Sequence, residues 1–259
     1  MGNIFELLFN KYELFLLVLV RTSGIFLISP FFSSQNVPNT LKAGFSFMIS
    51  VLITLTLDIN VSLEYTSFTV LVVKELMVGL LIGFISYGFF STFYVMGQII
   101  DMKIGFGMVN VIDPQHKVQV PLMGNFYYIL AFLLLLSING HHTILKALVD
   151  SYEFIPIGKF SFKEDIAMML INVLSKSFIT GFKLSTPIIA IILLTDLLLG
   201  ILARTIPQMN VFVVGMPLKI LIGLIVISVS IPIFYAISTG IFNETIEEIY
   251  NFLKSFVEG

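Results

Sequence analysis

The chain has 259 residues, of which 57% are hydrophobic and 12% charged, and its mean hydropathy is +1.01. Its charged fraction is about half the roughly 25% that coats an ordinary soluble domain, which excludes a water-soluble monomer. The net charge of −2 is too balanced for a nucleic-acid footprint, and the absence of cysteine excludes disulfide frameworks and thiolate metal sites.

From the N-terminus, Asn3 with Glu6 resembles a capping box. No basic region or small-residue cleavage pattern accompanies it, so the first apolar segment is expected to stay in the mature chain. A bilayer core needs about 20 apolar residues per helix. About six windows qualify: 12–32, 41–61, 66–96, 121–138, 166–203 and 218–241. They predict an all-α integral membrane protein, a single unit with no polar linker and no internal repeat.

Within the third window, Gly79 and Gly83 form a GxxxG, which permits close backbone approach. Helix packing is the plain reading and a gating hinge the sharper one. Gly97-Gln98-Ile99-Ile100-Asp101 then leads through Gly105-Phe106-Gly107-Met108 to Asp113-Pro114-Gln115. This reads as a pliable apolar turn in a buried connector, with Phe and Met able to fill an irregular gap. Asn139-Gly140-His141-His142 reads as a polar helix–loop boundary, its two histidines expected on different faces.

The window 166–203 would make a helix about 57 Å long at ~1.5 Å per residue, nearly twice a bilayer core. Pro187, preceded by Ser185 and Thr186, predicts a kink or break there, with a helical hairpin as its extreme form. Ala203 to Lys219 combines two prolines, a charge and amides between apolar runs. It is expected to be irregular and sheltered, because open backbone needs partners in lipid. Finally Phe242, Ile246, Ile249, Leu253 and Phe256 share one helical face, with Asn243 as a possible cap. They predict a short surface or partner-docking helix.

Charges fall inside these windows: Arg21, Lys74, Glu75, Lys176, Lys183 and Asp196. A central Lys, Arg or Asp costs about 2.5–3.5 kcal/mol on insertion scales, so together they would cost on the order of 15 kcal/mol facing lipid. They are expected to pair, snorkel, face a wet cavity or lie outside the bilayer core. Structural pairing is the plain reading; an ion pathway is the sharper one. Lysines and arginines of the connecting segments divide evenly between the two sides of a six-span arrangement, so charge gives no orientation. No phosphate loop, HExxH or G-x-S-x-G occurs. Nothing here supports catalysis, a metal site or a cofactor.

These residues resemble the FliR/SctT family of type III export-gate proteins. The long specific match is Ala203 to Lys219, with Arg204, Pro207, Gln208 and Asn210. Glu75-Leu76, Gly79, Gly83 and Phe84 continue it, as do Gly97-Gln98, Asp101, Gly105-Phe106, Asp113-Pro114, Pro121 and the run from Asn139 to His141. Arg21, Pro30 and Pro38 fit the family's first span and loop. The resemblance covers nearly the whole chain, and its flagellar branch is the nearer.

The resemblance implies one export-gate membrane domain over 1–259, combining FliP-like and FliQ-like helical units with kinked hairpins. It implies a non-enzymatic subunit at the flagellar basal body in the bacterial cytoplasmic membrane. Such a gate passes unfolded flagellar subunits outward beside FliP- and FliQ-like subunits, FlhB and FlhA. It also implies a channel plug at Gly105, Phe106, Gly107, Met108, Val109 and Asn110. Subunit packing would fall to Glu75, Gly79, Gly83, Arg204, Pro207, Gln208 and Asn210. An injectisome gate subunit with effector cargo, and a small-solute secondary transporter with a helix broken at Pro187, are the alternative readings.

Overall fold

In a chain this apolar, backbone polar groups must be satisfied internally, and helices are the local solution. The computed structural model describes residues 11–33, 37–56, 67–106, 121–161, 165–206, 208 and 210–256, and among these every regular element is helical. In order they are α1 (Tyr12–Ile28), α2 (Pro30–Ser33), α3 (Asn39–Thr56) and α4 (Phe68–Ile104). Then come α5 (Leu122–Ser137), α6 (Gly140–Phe154), α7 (Asp165–Thr205) and α8 (Val211–Lys254). Asn3 and Glu6 lie outside the described residues.

Among the described residues, the expected six spans reduce to four helices long and apolar enough to cross a membrane: α3, α4, α7 and α8. Counting α5 and α6 as one broken span, bent by 71°, makes five. The bend falls at Asn139, whose φ of 56° is left-handed, a conformation asparagine tolerates. Window 12–32 yields only the 17 residues of α1 before Ser29, and α5 has only 16.

Three local expectations are corrected. α7 runs through Pro187 as one 41-residue helix, not a hairpin. Ser185 Oγ and Thr186 Oγ1 both donate to the Phe182 carbonyl, at 2.7 and 3.0 Å, serving the turn that the proline ring disturbs. The irregular stretch 203–219 contracts, because α8 begins at Val211 and contains Pro217. No separate helix starts at Asn243, since α8 continues to Lys254. The predicted apolar face is present at its end, where Phe242, Ile249 and Leu253 are buried.

The chain folds into two compact units made of interleaved stretches. The first takes 1–88, 139–173 and 242–259. In it α1 and α4 meet at glycine: a Cβ on Gly79 would lie 2.1 Å from the Arg21 carbonyl oxygen and 3.1 Å from Gly24 Cα. Leu17, Val18, Ile25, Val78 and Ile82 fill the surrounding core. Tyr250 donates to Asp150 Oδ2 at 2.6 Å, joining the end of α8 to α6.

The second unit takes 89–138 and 174–241. Its core is aromatic, with Phe93 and Tyr127 each 5.3 Å or less from the Phe234 ring centroid. Ile100, Ala131, Ile192 and Ile227 complete it. Of the membrane-length helices, α4 has 44% of its apolar window buried within the chain, whereas α7 has 22% and α8 only 17%. Most of the α7 and α8 windows therefore face something other than this chain.

Candidate functional site

The first unit holds a closed polar cluster in an apolar core. Arg21 and Glu75 are both fully buried, and Arg21 Nε donates to Glu75 Oε2 at 2.7 Å. Arg21 Nη1 donates to the Ser151 carbonyl at 3.1 Å and to Ser151 Oγ at 3.0 Å, and Nη2 to the Ile155 carbonyl at 2.9 Å. The guanidinium carbon lies 4.2 Å from the Tyr152 ring centroid.

This arrangement follows from helix ends. The carbonyls at the end of α6 carry the negative end of its dipole and favour a cation, and that of Ser151 also accepts the Ile155 N–H at 2.9 Å. Arginine, with its planar fork of five donors, answers both that need and Glu75 at once. The turn after α6 is fastened in the same way. Gly158, at φ 79°, donates its N–H to Glu75 Oε1 at 2.9 Å and accepts Lys74 Nζ on its carbonyl at 3.0 Å. Neighbouring residues of opposite sign on α4 thus hold both sides of one glycine. The cluster ties α1, α4, α6 and the following turn together, and a fully buried guanidinium with four of its five donors engaged fits positioning rather than reaction.

The second unit has a simpler clamp. Asp101, on the last turn of α4, accepts the Met123 N–H at 2.9 and 3.0 Å and the Gly124 N–H at 3.2 Å. It therefore caps the start of α5, whose preceding residue Pro121 offers no side-chain cap. The approach requires glycine, because a Cβ on Gly97 would lie 2.4 Å from Gly124 Cα. Gly97 to Asp101, expected as part of a turn, are helical, since α4 extends to Ile104.

The sequence-derived site residues distribute unevenly. Gly105, with a φ of 99°, and Phe106, half-buried, follow α4 directly. Gly107, Met108, Val109 and Asn110 lie outside the described residues, as does Pro207. Glu75, Gly79 and Gly83 are buried inside the first unit, so they serve packing within this chain. Arg204, Gln208 and Asn210 are exposed. The Asn210 carbonyl accepts the Val213 N–H at 3.1 Å, which opens α8.

Among the charges, Arg21 is buried and paired, and Lys74 is half-buried on Gly158. Asp196 forms an ion pair with Lys219 on α8. Lys176 and Lys183 are exposed on α7 rather than enclosed by the chain, because so little of that helix is covered here. His141 and His142, expected to diverge, have ring centroids 4.0 Å apart at the first turn of α6, with Phe31 stacked on His141.

Sequence reasoning missed Ser151, Ile155 and Gly158. The Ile155-Pro156-Ile157-Gly158 turn signal was available. Its connection to residues more than 80 positions away was not.

Residues 12–245 match the family described as bacterial export proteins, family 1. The chain is 38% identical over 249 residues to the flagellar biosynthetic protein FliR of Bacillus subtilis (strain 168), covering 94% of this chain and 96% of the relative. It is 30% identical over 229 residues to the protein of that name from Aquifex aeolicus (strain VF5), with 88% of each covered. To that of Escherichia coli (strain K12) it is 28% identical over 240 residues, covering 92% and 90%.

Proposed function

The chain belongs to the bacterial export proteins, family 1, and on that premise we propose that it is a channel-forming subunit of the flagellar type III export gate. The observation that carries the reading is the near full-length similarity to proteins named for flagellar biosynthesis. The gate passes unfolded flagellar subunits across the bacterial cytoplasmic membrane at the basal body. The chain acts as a structural element, not as an enzyme.

The burial pattern supports an assembled subunit. α7 and α8 carry many exposed leucines, isoleucines and valines, including Leu197, Leu198, Ile201, Val213 and Val229. Sister subunits and lipid together cover these faces, which accommodates Lys176 and Lys183 where lipid alone would not. The partners are FliP- and FliQ-like subunits, with FlhB and FlhA beside them. Arg204, Gln208 and Asn210 fix the α7–α8 connection against one such neighbour. Gly105 to Asn110 close the channel, with Phe106 and Met108 as apolar stoppers.

Affinity purification of the full chain from membranes tests the reading. An export-gate subunit brings small hydrophobic proteins with it in fixed ratio. A chain that purifies alone and binds a small solute overturns the proposal in favour of a transporter.

A further inference from the structure

A cleft between α1 and α3, within the first unit, is used by neither the Arg21 cluster nor the export reading. α1 packs directly against α3. Between them lies a cavity of about 490 Å³ whose walls include Val20, Leu27 and Phe47, with Asn39, Lys42, Ser46 and Ser23 as polar members, the Ser23 hydroxyl already donating to the Val20 carbonyl at 2.8 Å. From Asn39 to Phe47 it runs about 12 Å along α3 at ~1.5 Å per residue.

Lys42 lies in the first turn of α3, where a membrane-spanning helix meets the headgroups. Its Nζ donates to the Ser33 carbonyl at 2.9 Å, which leaves two N–H donors for another acceptor. Ser46 lies one turn deeper. It is 3% exposed, and its Oγ has no hydrogen-bond partner. The contrast along α3 is informative: Ser50 and Thr54 each donate to the carbonyl four residues back, both at 2.7 Å. Ser46 alone in this row keeps a buried hydroxyl unspent, and such a group calls for an acceptor.

We propose that this cleft holds one acyl chain of an anionic phospholipid, with its phosphate on Lys42 and an ester carbonyl on Ser46. The spacing suits a phospholipid, whose esters lie just inside its phosphate; four residues of helix separate Lys42 from Ser46, or about 6 Å. Size favours a chain over a partner helix. A helix with side chains is about 10 Å across, so a 12 Å length occupies roughly 900 Å³, about twice the cleft. The inference requires only that α3 spans a membrane, and it does not depend on the export role.

The test uses the full chain in phosphatidylcholine vesicles containing a trace of photoactivatable phosphatidylglycerol, or of photoactivatable phosphatidylcholine. Labelled peptides are mapped by mass spectrometry. Label should concentrate on 19–27 and 39–47, with the anionic probe preferred roughly five-fold, as one lysine gives at an anionic surface. Lys42→Gln should abolish the preference while leaving the fold intact, and Ser46→Ala should lower labelling by either probe. Ala43→Phe, at the cleft wall, should exclude both. Labelling no denser here than around Val229 on exposed α8 would overturn the proposal, as would equal use of both probes unaffected by Lys42→Gln. So would a photocrosslinker at Leu27 that captures a protein helix in cell membranes instead of lipid.

Discussion

Replacing Arg21 with methionine isolates the contribution of the buried cluster. The substitution removes the 2.7 Å ion pair with Glu75 and three further hydrogen bonds, to Ser151 O, Ser151 Oγ and Ile155 O. Removing one partner of a buried pair costs about 3–5 kcal/mol, chiefly because a charge is left without compensation. That is a large part of a typical stability of about 5–15 kcal/mol. For a chain of this size it lowers the melting temperature on the order of 10 °C. Arg21→Lys keeps the charge but not the fork, so it should fall between wild type and Arg21→Met. The double variant Arg21→Met, Glu75→Leu leaves no orphan charge and should recover much of the loss. Thermal unfolding of the detergent-purified chain, followed by circular dichroism, reads all of these. Unchanged melting in Arg21→Met, or a double variant less stable than the single one, would refute the reasoning.

Other substitutions probe separate links. Asp101→Ala strands the Met123 and Gly124 N–H groups and should cost about 1–2 kcal/mol, seen as faster proteolysis near the start of α5; Asp101→Asn should be milder. Gly79→Ala drives a Cβ to 2.1 Å from the Arg21 carbonyl and should nearly eliminate the chain from membranes by immunoblot. Gly44→Ala, with nothing within 4 Å of its added Cβ, should be neutral or stabilising by about 0.5–1 kcal/mol. The double change Phe106→Ala, Met108→Ala should raise ion leak through an assembled gate, measured as conductance in planar bilayers; unchanged leak counts against a plug at 105–110.

Much of this was legible in the sequence, but unevenly. Hydrophobic windows located the helices, because lipid-facing or partner-covered helices must be apolar throughout. They did not reveal where one helix ends and another begins. Pro187 and Pro217 are ordinary breakers in soluble chains. Both lie inside helices here, where losing helix would expose backbone that little water can solvate. The Gly79 and Gly83 spacing correctly signalled close packing, yet only the fold shows that α1 of the same chain is the partner. Arg21 stood out as an expensive charge. That Glu75, Ser151 and Ile155 absorb its cost depends on contacts across 54 to 134 residues, which no local pattern encodes.

The central claim is that this chain serves flagellar protein export. The most direct measurement is deletion of its gene, with complementation, scored for flagella and for general secretion in the same cells. The account predicts loss of flagella, restored by the wild-type copy, with other secreted proteins at normal levels. A deletion strain that still builds flagella, or one whose general secretion fails equally, would contradict it.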